Sequence, residues 1–173
     1  MAKKTCPCCG HTINAYVVKV TPMIVRALVK FRQAVNDKGV NSVHLLKDMK
    51  NKPYELTRHE WNNFTRQRFL ALAVKDKGKP GYWLLTRIGN GFLNGTIAIH
   101  NEVAIEENRI VRRSPEMVFV KDVIGTTPYM EKKEDIEYID LPFPEITKPA
   151  TQNYHMEIGP DNIARKVYDN ESD

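Results

Sequence analysis

Cys6 and Cys9 stand three positions apart in Cys6-Pro7-Cys8-Cys9-Gly10-His11. A tight turn of this spacing aims two thiolates at one metal ion, and Gly10 lets the backbone close. Structural zinc takes about four ligands, so further donors are needed. His11 and Cys8 are nearest, although adjacent Cys8 and Cys9 point in different directions. His44 or His100 could complete the set, as could a second chain; a reduced, metal-free turn is the plainer alternative. The expectation is one structural zinc, with Cys6, Cys9 and His11 as the candidate ligands. A redox role is less expected, because no βαβ pattern follows the C-x-x-C.

A second set of residues has the chemistry of base and phosphate contacts. His59, Asn62, Asn63, Arg66 and Gln67 fall on one side of a helix at 100° per residue, opposite Trp61, Phe64, Phe69 and Leu72. Asn, Gln and Arg can make bidentate contacts with base edges in a major groove. Leu70 shares that side, and the bland alternative is a solvated face rich in amides. Behind it comes Lys75-Asp76-Lys77-Gly78-Lys79-Pro80-Gly81, a basic turn. Lys75, Lys77, Lys79 and Arg87, with Lys50 and Lys52 upstream, are placed for phosphate, which positions a protein without specifying sequence. The alternative is a turn kept soluble by lysine.

Signatures of catalysis are missing from the sequence. There is no G-x-x-x-x-G-K-[ST], no H-E-x-x-H and no G-x-S-x-G. Gly89-Asn90-Gly91 lacks the third glycine of a dinucleotide fingerprint, and all three cysteines sit in the N-terminal turn. A protein that is not an enzyme is expected.

The elements that must position these residues are legible from caps and periodicity. Thr57-Arg58-His59-Glu60 is a capping box, predicting a helix of about four turns to roughly Ala73. Tyr82 to Leu85 reads as a short buried strand. Thr86 can cap a further short helix that Gly95 closes. Upstream, Ala15 to Val20 reads as a strand. Thr21-Pro22 is an N-cap with proline at the first helical position, and the helix it opens runs to about Asn36 with Gly39 as its stop. Ile24, Ala27, Leu28, Phe31 and Val35 form its apolar stripe, with Arg26, Lys30 and Gln33 outside it. Val43 to Leu46 is a short strand or turn. From Thr96 the period changes to alternation, through His100 and again over Glu102 to Ile105. Glu107-Asn108 is a candidate hairpin turn leading into Ile110 to Arg113, and Met117 to Val120 is a further strand candidate.

Charge divides the chain unevenly. Residues 1–113 carry 20 Lys/Arg against 8 Asp/Glu, a balance of +12, whereas residues 114–173 carry 6 against 13, a balance of −7. A basic body suits a polyanion partner, and the acidic end could repel nucleic acid, fold back on the body or keep the chain soluble. No apolar run reaches the roughly 18–20 residues of a membrane span, and Met1-Ala2-Lys3-Lys4 lacks the apolar segment of a signal peptide. A cytoplasmic setting is expected. Beyond Asp122 the signals fade, and prolines and acidic residues predict a flexible tail in which Leu141/Phe143 and Tyr154/Met156/Ile158 are candidate docking islands.

The Cys-Pro-x-Cys-Gly pattern resembles the knuckle of zinc ribbons, of which only one half is present. The run Tyr54 to Gly95 resembles winged helix-turn-helix domains. Tyr82-Trp83-Leu84-Leu85-Thr86-Arg87 and the helix after it look closest to short phage or prophage proteins of poorly defined function that also carry such a knuckle. The resemblance covers roughly residues 1–125. It implies an α+β protein: a zinc knuckle and lead-in strand over 1–20, a winged-helix core over 21–95, an added small antiparallel β-sheet over 96–125 and a flexible acidic tail over 126–173. The function it implies is non-enzymatic binding of double-stranded DNA, as in a phage-type regulator acting in a bacterial cytoplasm. Winged helices also bind proteins, so a phage-type adaptor or inhibitor of a host protein is the alternative.

Overall fold

Three threonines open the first three helices, and glycines follow two of them. Thr21 Oγ1 accepts from the Ile24 N–H, and the helix α1 (Pro22–Lys38) runs until Gly39 at φ 71°. Ahead of it lie β1 (Lys4–Thr5), β2 (Thr12–Ile13) and β3 (Ala15–Lys19); β4 (Val43–His44) follows. At Thr57 both bonds of the capping box form: Glu60 N–H to Thr57 Oγ1 at 3.2 Å and Thr57 N–H to Glu60 Oε2 at 2.8 Å. They open α2 (Arg58–Phe64), which passes directly into a 3-10 segment, Thr65–Leu70. Then come β5 (Ala73–Lys75), β6 (Tyr82–Leu85) and α3 (Arg87–Leu93), capped by Thr86, with Gly95 at φ 72° just beyond. The second half holds β7 (Ile99–His100), β8 (Glu102–Glu106), β9 (Arg109–Arg113), β10 (Met117–Val118), α4 (Val120–Ile124), β11 (Tyr154–Ile158) and β12 (Ala164–Tyr168). This computed structural model describes residues 4–5, 9–10, 12–13, 15–128, 136–146, 154–158 and 164–168.

The chain is α+β, with four helices and small antiparallel sheets among the described residues. In one sheet β6 lies between β4 and β5, Val43 opposite Trp83 and Ala73 opposite Leu85. In the other β8 lies between β3 and β9, so the lead-in strand joins the hairpin some eighty residues later. Glu107 and Asn108 make that hairpin's turn with φ of 48° and 66°, the positive pair of a two-residue turn matched to strand twist. Strands β7 and β10 pair apart from both sheets, as do β11 and β12.

Helix α1 is the centre of the core. Phe31 meets Phe64 at 5.2 Å between ring centroids, and Phe64 meets Trp83 edge-on at 5.1 Å. Three expectations are corrected here. The helix predicted from Thr57 to about Ala73 is α for only seven residues. In the 3-10 segment residues three apart eclipse, which sets Phe64, Gln67 and Leu70 on one buried edge, 1 %, 0 % and 2 % exposed. Trp61, placed in the core stripe by 100° spacing, is half-buried. Arg32 is buried on α1, and its Nη1 donates to Asn94 Oδ1 at 2.6 Å. Arg68 fastens the 3-10 segment to the hairpin by donating to Asn108 Oδ1 at 3.2 Å.

Residues 136–146 also lie on the body, within the stretch expected to be a flexible tail. Ile136 is buried, Tyr138 and Phe143 pack against the core, and Ile139 forms a parallel bridge with Thr86.

Candidate nucleic-acid interface

Capping orients the helical part of the site. Glu60 is pulled inward, where its carboxylate serves the Thr57 N–H and also takes a 2.7 Å bond from Lys30. Burial pushes its pKa up, but the Lys30 and Thr57 bonds outweigh that and hold it below the usual value. The one carboxylate between residues 58 and 66 is thereby withdrawn. Arg58, His59, Asn62, Thr65 and Arg66 are left on the exposed side. Arg58, Asn62 and Arg66 repeat at four-residue spacing, a signal the sequence contained for Arg58, which was not among the expected site residues.

The expected polar face is only partly exposed. Asn63 is half-buried; its Nδ2 donates to the His59 carbonyl at 2.8 Å and touches Met23 Sδ at 4.0 Å. Gln67 is fully buried and donates to the Ile24 carbonyl at 2.9 Å, so it cannot reach a groove from there. Both residues face the first turn of α1, Asn63 from the end of α2 and Gln67 from the 3-10 segment. His59, Asn62 and Arg66 remain, joined by Arg58.

The basic turn between β5 and β6 is held by Asp76. Its Oδ1 accepts from the Gly78 N–H at 2.9 Å and its Oδ2 from Ser42 Oγ at 3.3 Å. The turn's own acid is thus occupied within it, while Lys75, Lys77 and Lys79 are exposed. Gly81 closes the turn at φ 83°, and a Cβ there would sit 2.7 Å from His44 Nε2. Lys75 and Lys79 run along aromatic faces, each 5.9 Å from the ring centroid, of Trp83 and Tyr82 respectively. Lys38, from the end of α1, lies 5.2 Å from the Tyr82 ring and is tied to Asp48. Arg87 is exposed at the start of α3, with Nη1 3.2 Å from Asp140 Oδ2.

On either side of the cysteines, β1 and β2 pair with Lys4 opposite Ile13 and Thr5 opposite Thr12. Cys9 is exposed and Gly10 has φ 67°. Cys6 and His11 lie outside the described residues. His44 and His100 are engaged elsewhere: His44 Nδ1 accepts from the Leu46 and Lys47 N–H groups at 3.2 Å each, and His100 Nδ1 bonds the Ser114 carbonyl at 2.8 Å. Among the described residues no three His, Cys, Asp or Glu side chains gather as metal ligands, and no helix is long and apolar enough to cross a membrane.

Compared with protein-family models, curated proteins and solved structures, the chain finds no match.

Proposed function

We propose that the chain binds double-stranded DNA without catalysis, through a winged helix-turn-helix core with residues 58–66 as the reading segment and residues 75–81 as the wing. One observation carries this reading. Strand β6 lies between β4 and β5, behind α1 and the helical stretch 58–70, with the lysine turn joining β5 to β6. That order matches a winged helix, in which the wing and the second helical element approach the duplex together. The carboxylate-free exposed side of residues 58–66 supports the same reading, since phosphate and base edges repel carboxylates more often than they recruit them.

The test is duplex binding by fluorescence anisotropy across salt. Contacts from Arg58, Arg66, Lys75, Lys77 and Lys79, with Arg87 paired to Asp140, would give a slope of log affinity on log salt of about −4.5. Arg66→Ala should cost about 1–3 kcal/mol on a preferred site and relax preference at one base pair. Lys77→Ala or Lys79→Ala should weaken all duplexes alike and flatten the slope by about one. No duplex binding at about 50 mM salt, where phosphate contacts are strongest, would reject the reading. It would favour the second one, an adaptor that binds a host protein. Leu46, 53 % exposed, supports that second reading, because it shares a groove with Leu45, Leu56 and the half-buried Trp61.

The same proposal includes one structural zinc per chain, held at least by Cys6 and Cys9, with His11 as the nearest further donor. The β1–β2 pairing supports it by bringing the two ends of residues 6–11 together. Protein purified without added zinc is expected to contain close to one equivalent, and Cys6→Ser should destabilise the N-terminal hairpin more than Cys8→Ser. A folded, unoxidised sample with less than about a tenth of an equivalent would refute the zinc.

A further inference from the structure

The acidic end of the chain has a defined place on the body. Residues 136–143 cross from the β6–α3 junction to the second half of the chain. Asn41 fixes one end: its Oδ1 accepts from the Leu85 N–H at 2.7 Å, and its Nδ2 donates to the carbonyls of Leu85 at 2.8 Å and Glu137 at 3.2 Å. The Arg87 N–H donates to the Ile139 carbonyl at 2.8 Å. At the other end Phe143 meets His100 edge-on at 5.5 Å, with the Arg113 guanidinium 5.8 Å from its ring centroid.

The anchors of this strap are apolar and its carboxylates face outward, with Leu141 and Ile146 exposed as well. Ile136, Tyr138 and Phe143 pack on the core, whereas Glu137, Asp140 and Glu145 are exposed. Asp140 faces Arg87 at 3.2 Å. Apolar anchors therefore hold the segment on the body, with the Asp140 carboxylate on a cation of the interface described above.

We propose that residues 136–146 are a built-in electrostatic competitor, holding the Asp140 carboxylate where a phosphate of a duplex would come and setting a threshold for binding. This rests on the DNA-binding reading. A phosphate that takes Arg87 must displace Asp140, and both side chains are about two-thirds exposed, 67 % and 69 %. A pair so exposed is weak and screened by salt. The strap therefore lowers affinity without abolishing it and acts most at low ionic strength.

The experiment uses the full chain and a fixed duplex. Asp140→Asn should raise affinity about three-fold or more at about 50 mM salt and steepen the salt slope by about one, as Arg87 becomes free for phosphate. Phe143→Ala, which loosens the anchor and leaves the charge intact, should raise affinity in the same direction. Glu107→Gln makes the same change of net charge in the hairpin turn and should shift affinity less than two-fold, roughly the limit for distant screened charges. If the parent chain binds duplex and Asp140→Asn and Phe143→Ala bind identically to it, the strap proposal falls and the DNA reading stands. An equal gain from Glu107→Gln and Asp140→Asn would also overturn it, since net charge alone would then suffice. If no form binds duplex at low salt, both fall together.

Discussion

Gly89→Ala should lower the stability of the folded chain by about 3 kcal/mol or more. A Cβ at this position would lie 2.1 Å from the Leu72 carbonyl oxygen and 2.9 Å from its carbon, both backbone atoms. That carbonyl cannot retreat easily. It accepts from the Thr86 N–H at 3.2 Å and from Thr86 Oγ1 at 3.1 Å, and Thr86 Oγ1 itself caps α3 by accepting from the Gly89 N–H at 2.8 Å. Relieving the clash means moving α3 off the turn that precedes β5 and losing a cap buried with its partners. Thermal unfolding should show a midpoint lower by roughly 6–12 °C for a chain of this size. Gly91→Ala is the comparison: the atoms nearest its Cβ would be Ile97 Cδ1 at 2.4 Å and Cγ1 at 2.7 Å, side-chain atoms that can shift where the Leu72 backbone cannot. Its loss should be about 1 kcal/mol, partly offset by the helix preference of alanine. Equal losses from the two variants would mean that the α3 approach is not rigid. These contacts also account for the glycines of Gly89-Asn90-Gly91, which serve packing around α3.

Phe64→Ala is expected to cost about 3–5 kcal/mol, measured by urea unfolding. Phe64 is 1 % exposed and joins α1 to the β4–β6–β5 sheet, with Phe31 at 5.2 Å on one side and Trp83 at 5.1 Å on the other. Truncation leaves a cavity between two aromatic rings, Phe31 and Trp83, that are fixed by separate elements, so little collapse can compensate. Trp61→Ala removes a larger side chain from the same helix and should nevertheless cost less, about 1–2 kcal/mol, because Trp61 borders an open groove and leaves no closed cavity. A greater loss at Trp61 than at Phe64 would contradict the placement of the two rings. The comparison also separates packing from recognition, since Phe64→Ala should alter duplex binding only through stability.

Local chemistry alone determined where α1, α2 and α3 begin and which glycines follow α1 and α3, whereas α4 starts inside a stretch read as a strand, Met117 to Val120. Thr57 with Glu60, Thr21 with Pro22, and Thr86 each bond a group within three residues, so the sequence contains the whole interaction. The Glu107-Asn108 turn is legible for the same reason, as is the apolar stripe of α1. Tertiary structure decided the rest. A helix pattern read at 100° per residue puts Gln67 and Leu70 outside; the tighter 3-10 turn rotates them inward, and what favours that turn is burial against α1 and the β3–β8–β9 sheet. The burial of Arg32 depends on Asn94, sixty-two residues away, which receives its guanidinium. The pairing of β3 with β8 and the docking of residues 136–143 likewise depend on partners remote in sequence. Caps and turns act over three or four residues and are written there, whereas burial depends on which distant surface arrives to cover a side chain.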